Sequence, residues 1–301
     1  MTDYRAKFDA VVHFTNGGSL SVEDFRIDVQ SADVDVDTIG QLFVASLGLL
    51  MTGEVALNNL EIFPEPHRGT RATTTSPSTT NTRFVELSHV IRPGMTTIAG
   101  LPVPAITPFL TREDSRSRYA PGTEFAMDMI TIIGNTGTYL DSPYHRFEGG
   151  DDLSAVPLEH LADLAAVVVR IAGTAQRHTD RLTLAALGDL RGAAVLIHSG
   201  DAARFGTTGY ADDAAFLSRD GAAYLVEAGA ALVGIDAINI DDTSDPTRPA
   251  HTLLLQAGIP VVEHLTGLDQ LPPRGASFSA VPPMIASFGT FPVRAFARIP
   301  A

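Results

Sequence analysis

Residues 218–236, SRDGAAYLVEAGAALVGID, decide the fold class of this 301-residue chain. Ser218 is a favourable N-cap and Gly229 a favourable stop signal, so the pattern predicts a helix over residues 218–230. Residues 231–235 follow as a short apolar run of the kind that forms a strand buried on both faces. A helix that leads directly into such a strand indicates an α/β fold.

The same alternation of strands and helices occurs elsewhere in the second half of the chain. Residues 167–171 and 194–198 are short, continuous runs rich in valine and isoleucine, which predicts two more buried strands. Residues 251–257 form a predicted short helix that ends at Gly258, and residues 259–262 form the strand after it. The second half of the chain therefore has an α/β pattern throughout.

A polar linker separates two predicted domains. Residues 70–83 are rich in threonine and serine and contain no large apolar side chain, so they cannot contribute to a core. Residues 1–69 contain a predicted hairpin, a helix capped by Asp37 and a strand over residues 54–63, which predicts a small α+β domain. Eleven acidic and four basic residues make this small domain acidic.

The two predicted domains have different expected roles. We interpret residues 1–69 as an accessory domain without catalytic residues. A lid, an oligomerisation surface and a docking site for another protein are open alternatives for it. Residues 84–301 form the predicted catalytic domain.

The composition excludes several classes of function. Without cysteine, the chain has no disulfide, thiolate metal site or cysteine nucleophile. The net charge of −14, with no basic cluster, argues against nucleic-acid binding. No glycine-rich phosphate loop follows a predicted strand, so we expect no nucleotide. The N-terminus lacks the apolar run of a signal peptide and no segment approaches the roughly 18 apolar residues of a membrane span, so we expect a cytoplasmic protein without membrane contact.

The densest group of polar residues lies in residues 134–145, GNTGTYLDSPYH, directly after the apolar run of residues 129–133. Glycines, a proline and small hydroxyl side chains at the end of a strand let the backbone approach a ligand closely. Asp141 and His145 can then reach the same cavity. The alternative is a turn in which Asp141 caps local amides and His145 has no chemical role.

A second polar group follows two other predicted strands. Asp236 and Glu263 each come directly after a strand, so both can lie at the edge where parallel sheets bind ligands. His251 begins a helix, where a neutral or metal-bound imidazole is tolerated and a cation is disfavoured. We interpret three further carboxylates as solvated loop charges: Asp241, Asp242 and Asp245. Two other histidines are candidates for the cavity wall: His198 and His264.

Five separated motifs resemble one family in their order along the chain. Residues 135–145, NTGTYLDSPYH, resemble the signature H-x-G-T-H-x-D-x-P-x-H of the putative cyclase family, which includes bacterial kynurenine formamidases, isatin hydrolases and cyclase-like proteins of antibiotic pathways. The other matches are FVELSH at residues 84–89, LVGID at 232–236, HTLLLQAGIPVVEHL at 251–265 and PVRA at 292–295. The resemblance covers residues 83–301 and implies a swivelling β/β/α cyclase-like domain, preceded here by the small α+β domain.

The resemblance also implies a metal site. In well-studied hydrolases of the family, two signature histidines and the aspartate bind one metal. Those positions here hold Asn135, Tyr139 and Asp141, and an amide and a phenol are poorer ligands for zinc or manganese. Binuclear members hold a second metal with the same aspartate and a downstream histidine and glutamate, which match Asp141, His251 and Glu263. We therefore expect one divalent ion, Zn or Mn, on these last three residues.

The resemblance assigns roles to the remaining polar residues. His145 is the expected general acid/base. Asn135 and Tyr139 would donate hydrogen bonds to a carbonyl oxygen of the substrate as negative charge develops on it. Apart from the resemblance, Arg248 in the Asp-rich loop would bind a substrate carboxylate or, alternatively, offset local charge.

These residues support two hypotheses about activity. The first is a metal-dependent hydrolase of an aryl formamide, a cyclic amide or a lactone. The alternative is a metal-independent cyclase, dehydratase or isomerase of a polyketide-like natural-product intermediate, in which His145 and Tyr139 form a proton-transfer pair and Asp141 orients His145. A ligand-binding module without activity is a third possibility. In each case the partner is a small molecule, and we expect a homodimer or a higher homo-oligomer.

Overall fold

The computed structural model of the chain describes residues 4–47, 49, 52–64 and 82–300. The described residues belong to two compact units, residues 4–64 and residues 82–300. Residues 70–81 of the predicted linker lie outside the described residues, whereas Thr82 and Arg83 are the first residues of a strand.

The first unit is a three-stranded antiparallel sheet with one helix. Its elements are β1 (Tyr4–Phe14), β2 (Gly18–Val29), α1 (Val36–Ser46) and β3 (Thr52–Pro64), and β1 is the central strand. Alternate residues of β1 from Ala6 to Val12 are buried and cluster with Ile39 and Phe43 of α1. The helix is capped by Asp35, whose carboxylate accepts a hydrogen bond from the backbone N–H of Thr38 (2.8 Å). The prediction of Asp37 as the cap is therefore wrong.

The second unit is built on a nine-stranded mixed sheet, which confirms the predicted α/β class. The described part of this unit has the strands β4 (Thr82–Glu86), β5 (Ala105–Leu110), β6 (Met127–Thr131), β7 (Tyr139–Asp141), β8 (Leu164–Arg170), β9 (His178–Thr179), β10 (Ala194–His198), β11 (Phe216–Leu217), β12 (Leu232–Ile235), β13 (Val261–Glu263), β14 (Ser277–Ser279), β15 (Thr290–Pro292) and β16 (Phe296–Pro300). Strands β5 and β6 form one separate two-stranded sheet, and β9 and β11 form another. Its α-helices are α2 (Arg112–Ser115), α3 (Arg181–Ala185), α4 (Arg219–Ala228) and α5 (Pro249–Gln256). Short 3₁₀ helices cover Pro143–His145, Leu158–His160, Asp201–Arg204 and Leu268–Gln270.

Four parallel strands form the centre of the nine-stranded sheet, in the order β8, β10, β12 and β13. Beyond β13 lie the antiparallel strands β7 and β15, and beyond β8 lie β14, β16 and β4. The central strands are buried on both faces. Successive residues of a strand point to opposite faces, and Val195 and Leu196 of β10 belong to two separate apolar clusters. Leu225 of α4 and Leu254 of α5 belong to the cluster that contains Val195, so these helices cover one face of the sheet.

Two local predictions have different outcomes. The helix predicted after Ser218 is confirmed: the Ser218 hydroxyl accepts from the backbone N–H of Gly221 (3.2 Å), and Gly229 ends the helix with φ of 72°. The strand predicted over residues 129–133 is displaced to β6, whose side chains are exposed because β6 pairs only with β5 in a two-stranded antiparallel ribbon. No helix in the described ranges combines the length and apolarity that crossing a membrane requires.

Candidate active site

Three neighbouring strands bring four polar side chains to one face of the sheet. Tyr139 of β7 pairs with Glu263 of β13, and Asp141 of β7 pairs with Thr290 of β15. Paired antiparallel residues, and residues two apart in one strand, have their side chains on the same face. All four side chains are buried on this shared face, whereas Leu140 between them enters the apolar core.

His251 of α5 extends this polar cluster. Its Nε2 atom lies 3.5 Å from Asp141 Oδ2 and 3.6 Å from Glu263 Oε1. On the other side of the ring, the Asp241 carboxylate accepts from His251 Nδ1 (2.7 Å) and from the backbone N–H groups of His251 (3.1 Å) and Ala250. Asp241 therefore holds both the first turn of α5 and the orientation of the imidazole.

The interpretation of Asp241 as a solvated loop charge is wrong, because the Asp241 side chain is buried. Its neighbours Asp242 and Asp245 stabilise the loop itself. Their carboxylates accept hydrogen bonds from the backbone N–H groups of Ser244 and Thr247, respectively. The helix that contains His251 begins after Arg248, which supplies no side-chain cap, so its first N–H groups need an acceptor from elsewhere.

Three buried carboxylates, those of Asp141, Asp241 and Glu263, surround the imidazole of His251. Burial alone would lower the pKa of His251, but the nearby carboxylate of Asp141, the hydrogen bond to Asp241 and the charge of Glu263 raise it to about 10. Burial raises the pKa of Glu263 to about 7 against the opposing charge of His251. Burial also opposes ionisation of Asp141, yet the nearby histidines His251 and His145 hold its pKa below the ordinary value. The cluster therefore favours positive charge at its centre.

His145 connects this cluster to a pocket. It ends the 3₁₀ helix Pro143–His145, and 37% of its side chain is exposed. Together with Asn135 it lines a pocket of about 310 Å³. Its Nδ1 atom lies 2.7 Å from the hydroxyl oxygen of Thr290 and 3.7 Å from Asp141 Oδ1. The structure thus brings Asp141 and His145 together as predicted, but with the Thr290 hydroxyl between them, because 3.7 Å is too long for a direct hydrogen bond.

Tyr139 does not occupy the place expected of a proton donor to substrate. Its side chain is 1% exposed, and its hydroxyl donates to Glu263 Oε2 (2.6 Å). Burial and the charges of Glu263 and Asp141 raise the pKa of Tyr139 well above its ordinary value. Its single proton is committed to Glu263, so Tyr139 positions this carboxylate and cannot also pair with His145 in proton transfer.

A buried chain of hydrogen bonds supports Tyr139. His264 Nε2 lies 3.2 Å from the Tyr139 hydroxyl, and His264 Nδ1 lies 2.9 Å from the Tyr210 hydroxyl. Burial lowers the pKa of His264 to about 3, so this ring is neutral. Because Tyr139 donates to Glu263, its oxygen accepts from His264 Nε2–H, and His264 Nδ1 accepts from Tyr210. His264 therefore lies inside the protein, and His198 contacts Arg170 (2.9 Å) instead of this cluster.

Asp141, His145 and His251 form a group that could hold a metal ion, since one ligand atom from each lies within 4.8 Å of the others. Asp141 Oδ2 is buried and has no hydrogen-bond partner among the described residues. Glu263, the third predicted ligand, lies beside His251. Its two oxygens already accept hydrogen bonds, from the Tyr139 hydroxyl and from the backbone N–H of Ile240 (2.6 Å).

Arg248 is not brought to the pocket that His145 and Asn135 line. Its guanidinium lies 3.4 Å from the carbonyl oxygen of Asp242 and close enough to the Asp242 and Asp245 carboxylates to affect their charge. These contacts support the alternative in which Arg248 offsets local charge, and the substrate-binding role of Arg248 stays a prediction. Thr290, in contrast, touches both Asp141 and His145 and carried no signal of its own in the sequence.

Known proteins resemble the second unit. Residues 85–242 match the family model described as Putative cyclase. The kynurenine formamidase of Geobacillus thermodenitrificans strain NG80-2 is 30% identical over 197 residues, which cover 65% of this chain and 90% of the relative. The kynurenine formamidase of Maricaulis maris strain MCS10 is 25% identical, covering 71% of this chain and 96% of the relative. Isatin hydrolase A from Labrenzia aggregata shares the fold, with a TM-score of 0.65 and 23% identity over 73% of this chain and 94% of that one.

We expect Asp241→Asn to lower the free energy of unfolding of the second unit by about 2–4 kcal/mol, because an amide NH₂ group would then face N–H donors in a buried place. Chemical denaturation would measure this loss. Asp245→Asn, a change in the same loop, should cost less than about 1 kcal/mol. Equal effects of the two substitutions would contradict the role assigned to Asp241.

Proposed function

The chain belongs to the putative cyclase family, and on this basis we propose that it is a metal-dependent hydrolase that cleaves the C–N bond of an aryl formamide or a cyclic amide, or the ester bond of a lactone. The names of its relatives, kynurenine formamidase and isatin hydrolase, support an amide substrate. One observation carries the proposal. The buried and unpartnered Asp141 Oδ2 faces His251 Nε2 at 3.5 Å, beside the pocket that His145 lines.

The donor set fits a divalent ion such as Zn²⁺ or Mn²⁺. Asp241 accepts the Nδ1 proton of His251, which leaves Nε2 as the ligand atom toward Asp141, and a carboxylate on the far ring nitrogen is common for metal-binding histidines. We propose Asp141, His251 and Glu263 as ligands. Although Glu263 already accepts two hydrogen bonds, each carboxylate oxygen has a second lone pair. An ion there would also balance the negative charge of the buried carboxylates.

The chain's own residues can carry out the proton transfers of hydrolysis. When bound, a divalent ion supplies Lewis-acid polarisation of the substrate carbonyl and makes water more acidic. His145 takes a proton from the attacking water as its oxygen bonds to the carbonyl carbon. Asn135, on the same pocket wall, donates a hydrogen bond to the carbonyl oxygen. His145 then gives the proton to the departing nitrogen or oxygen as that bond breaks, so the products are a carboxylic acid and an amine or alcohol.

The alternative of a metal-independent cyclase, dehydratase or isomerase receives no support from the site. It requires Tyr139 and His145 to exchange protons with one substrate. Tyr139 is buried and donates to Glu263, whereas His145 lies at the pocket. Of the three buried carboxylates around His251, that reaction assigns a role only to Asp141, as the group that orients His145.

We further propose that the chain forms a homodimer or a higher homo-oligomer. The β5–β6 ribbon exposes large apolar side chains at Ile106, Phe109, Met127, Met129 and Ile130, and Phe125 just before β6 is also exposed. A two-stranded ribbon is only marginally stable by itself in water, and several large apolar side chains exposed close together are typical of a protein–protein contact. A second copy of the chain is the simplest partner, because most soluble oligomers are symmetric homo-oligomers.

We expect His145→Gln to reduce kcat on isatin or an aryl formamide by about 10²–10⁴-fold, since it removes the proton carrier. Circular dichroism and the melting temperature should stay close to those of the wild type. His178→Gln, which changes a histidine on β9, should retain wild-type turnover. Undiminished turnover in His145→Gln would remove His145 from the mechanism.

We expect Zn²⁺ to bind the metal-free protein with one ion per chain and to raise its melting temperature. At a free concentration of 100 times Kd, binding stabilises by about 2.7 kcal/mol. Affinity should increase with pH, because the ion replaces a proton on His251. Calorimetric titration of His251→Gln should show no such binding, whereas His160→Gln should bind like the wild type. Equal affinity in both variants, or none in the wild type, would rule out this metal site.

We expect the double substitution Phe109→Glu/Met129→Glu to shift the oligomer toward monomer in size-exclusion chromatography with light scattering. Both changes place charge on the exposed ribbon. The control, Leu182→Glu, alters a side chain on α3 that is 80% exposed and should leave the mass unchanged. A monomeric wild type, or dissociation by the control alone, would argue against the ribbon as the contact.

A further inference from the structure

We propose that Thr290 is a positioning residue that fixes the tautomer and the orientation of the His145 imidazole through a hydroxyl bridge to Asp141. The consequence for catalysis rests on the proposed hydrolase function, in which His145 moves the proton. The bridge itself stands on the geometry alone.

Thr290 lies where its side chain reaches both Asp141 and His145. It lies on β15 directly opposite Asp141 of β7, and it is 5% exposed. Its hydroxyl oxygen lies 2.5 Å from Asp141 Oδ1 and 2.7 Å from His145 Nδ1. Because Asp141 and His145 are 3.7 Å apart at the corresponding atoms, the bridge replaces a direct hydrogen bond between them.

The single proton of the hydroxyl decides the direction of both hydrogen bonds. An ionised carboxylate only accepts, so the Thr290 proton is donated to Asp141 Oδ1. The oxygen of Thr290 can then only accept from His145, which requires the proton of the neutral imidazole to be on Nδ1. The lone pair of the ring is therefore on Nε2, and Asp141 Oδ2 is left free of the bridge.

Two glycines allow the backbone to hold this bridge. A Cβ atom on Gly289 would lie 2.5 Å from the backbone nitrogen of His145, and a Cβ atom on Gly134 would lie 2.3 Å from the carbonyl oxygen of Thr290. The backbone N–H of Ser142 also donates to the carbonyl oxygen of Gly289 (2.8 Å). The segments that carry Thr290, His145 and Asn135 are therefore packed backbone to backbone, and the hydroxyl has little freedom to move away.

For catalysis, the bridge makes His145 ready to act as a base. A histidine with its proton on Nδ1 presents the Nε2 lone pair to a water molecule without a prior rearrangement. As the ring takes up the proton on Nε2, the positive charge is stabilised through Thr290 by the Asp141 carboxylate.

The direct test is the tautomer of His145, read from long-range ¹H–¹⁵N correlation spectra of the full chain with Zn²⁺ added. The spectra are recorded at a pH of about 8.5, above the ordinary histidine pKa of about 6.5. The signal that disappears in His145→Gln identifies this ring. We expect a protonated Nδ1 in the wild type and in Thr290→Ser, which keeps the hydroxyl. In Thr290→Val, which has the same shape without the hydroxyl, Nε2–H should appear.

Thr179→Val is the matched control. Thr179 is fully buried, and its hydroxyl has no hydrogen-bond partner in the described part of the chain, so the same change there should leave the His145 signal unaltered. Nε2–H in the wild type, or an unchanged Nδ1–H in Thr290→Val, would overturn the proposal. Neither outcome depends on turnover, so it is distinct from failure of the hydrolase proposal.

If the hydrolase proposal also holds, Thr290→Val should lower kcat by about 10–100-fold with KM changed less than about threefold, and Thr290→Ser should restore most of kcat. If Thr290 had only a structural role, Thr290→Val would instead lower the melting temperature without lowering kcat more than it changes KM. A Thr290→Val enzyme with wild-type kcat would show that the bridge has no part in catalysis.

Discussion

The burial of three carboxylates around one imidazole constrains the rest of this site. Asp141, Asp241 and Glu263 are held out of water beside His251, and buried negative charge is costly unless it receives hydrogen bonds or positive charge. The surrounding structure supplies the hydrogen bonds. Asp241 receives the first N–H groups of α5, Glu263 receives the Tyr139 hydroxyl and a backbone N–H, and Asp141 receives the Thr290 hydroxyl. One carboxylate oxygen, Asp141 Oδ2, receives none from the described residues, which is why a cation is the expected completion.

The chain departs from the family signature at two positions, and the structure gives one of them a physical role. Where the signature has a second histidine, Tyr139 donates a hydrogen bond to Glu263 and accepts one from His264. A phenol in this place supplies a hydrogen bond where an imidazole would supply a lone pair. Asn135 takes the other position, at the wall of the pocket beside His145. We infer that these substitutions leave one metal position and turn the other into a hydrogen-bonded support for Glu263.

Much of the fold and the identity of the site follow from the sequence, because they depend on local patterns. The cap at Ser218, the stop at Gly229 and the continuous apolar strands predict the α/β class, and the sequence also predicts that Asp141 and His145 lie close together, which they do at 3.7 Å. The remaining features depend on contacts between segments far apart in the chain. Thr290 meets Asp141 only because β15 pairs with β7, and Tyr210 meets His264 across 54 residues. Asp241 cannot be told from its half-buried neighbours Asp242 and Asp245 by charge or by position in the loop.

Anomalous X-ray scattering at the zinc and manganese edges, from crystals grown with each ion, tests the central claim most directly. We predict one anomalous peak per chain, at about 2.0–2.2 Å from Asp141 Oδ2 and His251 Nε2 and in contact with Glu263. A peak at other residues, or ordered protein with no peak between Asp141 and His251, would contradict the account of the buried carboxylates as a metal site.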